Sequence, residues 1–156
     1  MKIKKILIAI DDSKFSENAA GYGFDIARLY QAQVGLVNIV EPIVFQQTGN
    51  DVIMGTPFDT NIVNDTELIK AQTESAENIL EKTIKKLGEG LQVTQFTNYG
   101  STAEGILECS KQFSADLVVL GTHSRTGLDR LLMGSVAEHV VRHSEVPVLV
   151  VPLKGE

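Results

Sequence analysis

Strand-like and helix-like segments alternate along the whole chain, and this alternation restricts the fold more than any other feature. Residues 3–10 are mostly apolar and rich in isoleucine, which is typical of a strand buried on both faces of a sheet. Four further strands are predicted at residues 34–40, 91–97, 116–121 and 146–151. Because helical segments separate them, the strands form βαβ units, and the sheet is expected to be parallel.

Helix-capping patterns mark where the intervening helices begin. Asp12 or Ser13 would cap the first helix, which is predicted from about residue 14 to residue 31. Three further helices begin at capping boxes, in which Ser or Asn is followed three residues later by Glu. These boxes are residues 64–67, 101–104 and 135–138. The long irregular segment 41–64 is predicted to be a lid, a partner surface or a partly disordered loop.

These elements together predict the fold class. The expected fold is a single domain, residues 1–156, with an α/β three-layer doubly wound sandwich and a five-stranded parallel sheet. If the strand order is 3-2-1-4-5, the order reverses between the first and fourth strands. In such a sheet, ligands bind beyond the carboxyl ends of the strands, where the strand order reverses. Asp11 and Gly121 follow the first and fourth strands, so we expect the binding site between them.

Composition narrows the partners and the location of the protein. The net charge is −6, which argues against binding to nucleic acid or to an anionic membrane surface. No run of 18 apolar residues occurs, and the apolar run 6–10 is too short for a signal peptide. Cys109 is the single cysteine, and its apolar-periodic surroundings predict a buried, inert thiol. A cytoplasmic location is the resulting expectation.

The segment from Gly121 to Ser135 contains residues suited to binding phosphate. Gly134 and Ser135 stand where the last helix begins, and the unpaired N–H groups and positive dipole end of a helix favour an anion there. Gly121 would let the chain turn sharply and let a ligand approach closely. Arg125 and Arg130 could complement a phosphate. Each residue also has a simpler interpretation: Gly121 as a strand-to-loop turn, Ser135 as an N-cap, and the arginines as solvated charges.

The spacing within this segment resembles the nucleotide-binding pattern of the universal stress protein family. That pattern is Gly, two residues, Gly, nine residues, Gly, and then Ser or Thr. The four places are occupied here by Gly121, Ser124, Gly134 and Ser135. Segments 8–11, 115–121, 131–136 and 146–151 also resemble the family, so the similarity covers nearly the whole chain. The implied fold is Rossmann-like, of the adenine nucleotide alpha hydrolase-like type.

The resemblance implies ATP binding and suggests a role for each matching residue. Asp11, which follows Ile10, would contact the ribose, and the backbone of Ile39 would pair with the adenine edge. The residues expected along the ribose and phosphate path are Gly121, Thr122, His123, Ser124 and Arg125, and those expected to cradle the phosphates are Gly134, Ser135 and Val136. His123 and Arg125 are included for their place in the loop rather than for the resemblance.

Ser124 departs from the family pattern, which has a glycine at this place. If that glycine is needed for a positive φ, serine would cost about 1–2 kcal/mol. If it is needed only for clearance, serine is small enough to fit, and its hydroxyl could donate a hydrogen bond to a phosphate.

Sequence features of an ATP-consuming enzyme are missing. No Gly-x-x-x-x-Gly-Lys-Ser/Thr run occurs, and residues 11–16 lack the glycines of related adenylating enzymes. We therefore expect an ATP-binding regulatory module with little or no intrinsic hydrolysis, with Mg²⁺ held mainly by phosphates and water. The alternatives are a slow ATPase and a dimeric scaffold of the same family without nucleotide. His139 and His143 are expected on a solvated helix face rather than in a metal site.

The final predicted strand, residues 146–151, would lie at an edge of the sheet. An apolar edge strand with open backbone groups is prone to aggregate unless it is paired. Pairing with its twofold-related copy would satisfy those groups, and the family resemblance implies the same homodimer. The sequence does not identify a further protein partner.

Overall fold

The structure is a computed structural model that describes residues 3–42, 63–124 and 134–154. Strands and helices alternate through these ranges. In chain order they are β1 (Lys5–Ala9), α1 (Lys14–Tyr30), β2 (Gln33–Val40), α2 (Val63–Leu87), β3 (Val93–Tyr99), α3 (Thr102–Phe113), β4 (Leu117–Ser124), α4 (Ser135–His143) and β5 (Val148–Lys154). The roles predicted for the segment 41–64 fall almost entirely outside the described residues.

The five strands form one parallel sheet in the order β3-β2-β1-β4-β5, which confirms the predicted order 3-2-1-4-5. β1 is central, because Ile6–Ile8 pair with β2 on one side and with β4 on the other. The order therefore reverses between β1 and β4, as the sequence predicts. Among the strands of the described ranges, β5 pairs with β4 alone and lies at an edge of the sheet.

Helices cover both faces of the sheet, which explains why its central strands are apolar throughout. Ile6 and Ile8 pack in one core with Phe24 of α1. Leu7 faces the opposite side and packs in a second core with Val140 of α4. All five side chains are fully buried. Because successive residues of β1 serve two cores, the molecule has three layers.

β4 and β5 extend further than the sequence predicts. The ladder between them continues through Gly121↔Val151 and Thr122↔Pro152 to Ser124↔Lys154. Gly121 therefore lies inside a strand, and its interpretation as a sharp turn is wrong. Along β5, the main-chain N–H and C=O groups of successive residues point alternately toward β4 and toward the open edge. The carbonyl of Pro147 faces β4. The main-chain nitrogen of Pro152, five residues later, therefore faces the open edge, where the missing N–H removes no bond to β4.

Three of the helix starts differ in detail from the capping patterns. Ser13 caps α1 as predicted, and its hydroxyl accepts a hydrogen bond from the amide of Ser16 at 3.2 Å. Ser101 occupies the N-cap of α3 without a side-chain hydrogen bond. Asn64 lies inside α2 rather than at its cap. Gly134, not Ser135, is the N-cap of α4, and Ser135 is the first helical residue.

Cys109 is completely buried in α3, as its apolar surroundings predict. The side-chain amide of Asn98 lies 3.2 Å from its sulfur. Burial raises the pKa of the thiol to about 11, and the neighbouring carboxylate of Glu108 acts in the same direction. The thiol is therefore protonated at neutral pH and a poor nucleophile. Within the described ranges, the structure contains no helix that is long and apolar enough to cross a membrane.

Candidate functional site

A crevice of about 290 Å³ opens at the carboxyl ends of β1 and β4, where the strand order reverses. Its walls are the ends of β1, β2 and β4 and the first turns of α1, α3 and α4. Its volume is close to the lower limit for sites that hold small molecules. The fold thus places a concave site where doubly wound sheets bind ligands.

Most of the site residues predicted from the sequence line this one crevice. Those present are Ile10, Asp11, Ile39, Gly121, Thr122, Gly134, Ser135 and Val136. His123 and Ser124 are the last two residues of β4 and pair in register with Leu153 and Lys154, so they belong to a strand rather than to a loop. The extended backbone at Ser124 favours clearance, not a positive φ, as the reason for the family's glycine. Arg125 and Arg130 lie outside the described residues.

The inner wall of the crevice is apolar and exposes main-chain groups of β2. Val37, Ile39 and Ile106 line this wall. The carbonyl of Val37 accepts the amide of Ile10 at 2.9 Å, which is the last hydrogen bond between the two strands. Because main-chain groups alternate in direction, the N–H and carbonyl of Ile39 face the same side, beyond the end of β1. Ile39 thus presents one donor and one acceptor beside an apolar surface.

Hydrogen bonds organise the loop between β1 and α1. The Asp11 carboxylate accepts the amide of Ser13 at 2.9 Å, and the Ser16 hydroxyl lies 3.1 Å from the amide of Asp11. The amide side chain of Asn38 donates to the carbonyl of Ile10 at 2.9 Å. Ser16 and Asn38 were not among the site residues predicted from the sequence. Asn38 is a single polar residue within the apolar run 34–40, whereas the burial of Ser16 is evident only in the structure.

Gly121 lies directly beneath the first turn of α1. A Cβ atom at this position would be 2.4 Å from the carbonyl oxygen of Phe15 and 2.9 Å from the amide nitrogen of Ser16. These neighbours are main-chain atoms, which cannot rotate away as a side chain can. The glycine is therefore required for packing between β4 and α1, and this packing brings Ser16 to the crevice.

The first turn of α4 forms the polar end of the crevice. Its first intrahelical bond runs from the amide of Glu138 to the carbonyl of Gly134 at 2.9 Å, so the amides before Glu138 have no intrahelical acceptor. The N-cap residue Gly134 has no side chain to cap this end, and its amide lies 3.3 Å from the Thr122 hydroxyl. Ser135 and Val136 line the crevice. Exposed amides and the positive end of the helix dipole make this turn suitable for an anion.

The first turn of α3 also reaches the crevice, but a carboxylate already occupies it. Glu41 accepts hydrogen bonds from the amide of Thr102 at 3.1 Å and from its hydroxyl at 2.5 Å. Thr102 lines the crevice. Of the first turns of α3 and α4, that of α4 is therefore the one available to an anionic ligand. Glu41 was not predicted from the sequence, because its partner lies 61 residues away.

The crevice is better equipped for binding than for acid–base chemistry. Asp11 is the one residue with an ionisable side chain among the described residues of its lining. The described part of the chain contains no cluster of three or more His, Cys, Asp or Glu residues able to hold a metal ion. The ring of His139 instead lies 2.6 Å from the Glu104 carboxylate, and that of His143 bonds to the carbonyl of His139.

Comparisons with known proteins identify the family. The universal stress protein family model matches residues 2–152, so the chain belongs to this family. It is 35% identical over 150 residues to universal stress protein MJ0531 of Methanocaldococcus jannaschii, covering 95% of this chain and 81% of that protein. Universal stress protein MJ0577 of the same organism is 30% identical over 156 residues, covering 97% of this chain and 96% of that protein.

Solved structures share the fold. The structure of MJ0577 superimposes with a TM-score of 0.76 at 27% identity and covers 100% of both chains. A universal stress protein family protein from Arabidopsis thaliana, solved with AMP bound, has a TM-score of 0.62 at 18% identity. That comparison covers 97% of this chain and 93% of the plant chain.

Proposed function

We propose that this protein binds ATP in the crevice and acts in the cytoplasm as a nucleotide-dependent regulatory module of the stress response, with little or no intrinsic hydrolysis. The observation that carries the proposal is the first turn of α4, whose amides before Glu138 have no intrahelical acceptor and which lies in the same crevice as the apolar wall at Ile39. One end of the crevice therefore suits phosphates and the other a purine base. The AMP-bound plant protein of the same fold supports an adenine nucleotide.

Each part of the nucleotide has a proposed partner. The N–H and carbonyl of Ile39 match the N1 acceptor and N6 donor of adenine, and Asp11 accepts from the ribose hydroxyls. Gly121 and Thr122 line the path toward the phosphates, which reach the amides of Ser135 and Val136. Mg²⁺ would be held mainly by the phosphates and water, because the crevice offers few carboxylates among its described residues.

Isothermal titration calorimetry of the full chain with Mg-ATP tests this function, with Mg-GTP as the matched control. We expect saturable binding of ATP and at least tenfold weaker binding of GTP, because guanine presents a donor at N1 and an acceptor at O6, the reverse of adenine. Absence of binding at millimolar ATP, by calorimetry and by equilibrium dialysis, would contradict the proposal. Steady turnover above about 1 s⁻¹ without a partner would instead indicate an ATPase.

We also propose that two copies pair through β5. The strand is half-buried at Val148, Leu149 and Val150, and no other strand of the described ranges pairs with its outer edge. Main-chain groups of successive residues alternate in direction along β5, and the carbonyl of Pro147 faces β4. The amide of Val150, three residues later, therefore faces the open edge. Pairing with a second copy would satisfy it and cover apolar surface.

Val150→Pro is expected to shift the protein from dimer to monomer, because it removes an edge N–H without removing a bond to β4. Light scattering of wild type and variant at micromolar concentration measures this change, and circular dichroism checks that the fold is kept. A wild type with the mass of one chain would contradict the proposed dimer.

A further inference from the structure

Three polar side chains are almost completely buried in the described part of the chain. Ser16 and Asn38 are each 6% exposed, and Ser110 is 7% exposed. Two of the three bond to consecutive residues of the loop that follows β1: Ser16, which lines the crevice, bonds to Asp11, and Asn38 bonds to Ile10. A buried polar group is destabilising unless it is paired, so its partner indicates why it is there.

Asn38 holds the carbonyl of Ile10. The pairing between β1 and β2 ends at Ala9↔Val37, with one more bond from the amide of Ile10 to the carbonyl of Val37. The carbonyl of Ile10 lies beyond this ladder and is bonded by the Asn38 side chain at 2.9 Å. The Asn38 side chain therefore connects β2 to the residue that follows β1, one position beyond the end of the sheet pairing.

Ser16 holds the next residue, Asp11, at both of its main-chain groups. The Ser16 hydroxyl accepts from the amide of Asp11 at 3.1 Å and donates to the carbonyl of Asp11 at 2.9 Å. The carbonyl of Ser13 lies 3.1 Å from the same hydroxyl, and the Asp11 carboxylate accepts the amide of Ser13. The main chain at Asp11 is thus fixed by protein groups alone.

We propose that Ser16 and Asn38 are positioning residues that hold Asp11 in its binding geometry before the nucleotide arrives. The proposal rests on the function proposed above, in which Asp11 binds the ribose. A loop that is already ordered loses less conformational freedom on binding, so affinity is higher. Neither side chain needs to touch the nucleotide for this effect, because both act through Asp11.

Ser16→Ala tests the proposal, with Ser110→Ala as a control that removes an equally buried serine hydroxyl from the far end of α3. We expect Ser16→Ala to weaken the binding of ATP and of adenosine by the same factor, about tenfold, as expected for the loss of about one hydrogen bond to a buried group. Ser110→Ala should change either affinity by less than about twofold. Asn38→Leu, similar in size but without a donor, should act like Ser16→Ala.

A double-mutant cycle separates positioning from a general loss of stability. In an Asp11→Ala background, Ser16→Ala should weaken adenosine binding by less than about twofold, because the residue through which it acts is gone. Equal effects of Ser16→Ala in both backgrounds, or unchanged affinity in the single variant, would overturn the proposal.

Failure of the wild type to bind ATP would contradict the proposed function. Hydrogen exchange of the nucleotide-free protein would still test whether Ser16 orders the main chain at Asp11. The amide of Asp11 should exchange at least tenfold faster in Ser16→Ala than in wild type, and at the wild-type rate in Ser110→Ala. Faster exchange would support the ordering role of Ser16 without a nucleotide. Unchanged exchange at Asp11 would overturn it whether or not the wild type binds ATP.

Discussion

Replacing Gly121 with alanine is expected to lower the free energy of unfolding by about 2–3 kcal/mol and to remove most of the ATP affinity. The added Cβ would lie 2.4 Å from the carbonyl oxygen of Phe15, 2.6 Å from its carbonyl carbon and 2.9 Å from the amide nitrogen of Ser16. Because all three are main-chain atoms, the first turn of α1 would have to move away from β4. That movement would carry Ser16, and with it the hydrogen bonds that hold Asp11.

Urea denaturation and ATP titration of Gly121→Ala measure the two effects. Gly21→Ala is the matched control, because Gly21 lies in the middle of α1 and a Cβ there would meet nothing within 4 Å. This control should stabilise the protein by about 0.5–1 kcal/mol, since alanine favours a helix more than glycine does, and should leave ATP affinity unchanged. A Gly121→Ala variant as stable as wild type would show that the packing of β4 against α1 does not require the glycine.

Gly121 also illustrates a feature that the sequence did not predict, namely where β4 ends. A glycine at the end of an apolar run has the local appearance of a turn, yet β4 continues for three more residues. Where a strand ends depends on the partner that pairs with it, here β5, which follows 24 residues later at Val148. The parallel sheet with helices on both faces was predictable because it depends on alternation and handedness, and those are properties of the whole chain. These rules alone permit more than one strand order.

The start of α4 illustrates a second limit. The sequence from Ser135 to Glu138 fits a capping box, in which the glutamate side chain would reach back to the cap. In the structure, the Glu138 carboxylate instead pairs with Arg142 one turn further on, at 2.8 Å. Gly134 takes the cap position, and its own amide lies close to the Thr122 hydroxyl. A four-residue sequence pattern cannot distinguish a glutamate that reaches back to the helix cap from one that pairs with an arginine one turn further on.

The candidate site was predictable in part for a related reason. Residues at strand ends, such as Asp11, and at a helix start, such as Ser135, have positions that follow from the fold. Asn38 and Ser16 have no such mark, because each acquires its role only when folding brings it beside the main chain of Ile10 or Asp11. Hydrogen bonds that position a site are therefore harder to find in a sequence than a residue's place at a strand end or a helix start.

Ser135→Glu is expected to weaken ATP binding by at least about 100-fold while leaving the fold intact or slightly more stable. A carboxylate in the first turn of α4 would lie where we propose that the phosphates bind. At a separation of about 5 Å and an effective dielectric constant of about 20, two unit negative charges repel by about 3 kcal/mol, which corresponds to about 100-fold in affinity. The same carboxylate interacts favourably with the helix dipole, by about 0.3–1 kcal/mol.

In Ser135→Glu, ATP affinity should thus fall while the stability of the fold is kept or rises slightly. A local loss of structure would instead lower both. Ser135→Gln is the matched control, because it has the size of glutamate without the charge; we expect it to weaken ATP binding by less than about tenfold. Adenosine, which lacks phosphates, should bind Ser135→Glu and Ser135→Gln with similar affinity. If Ser135→Glu weakened adenosine and ATP binding equally, the first turn of α4 would be excluded as the phosphate site, and the phosphates would have to bind elsewhere in the crevice.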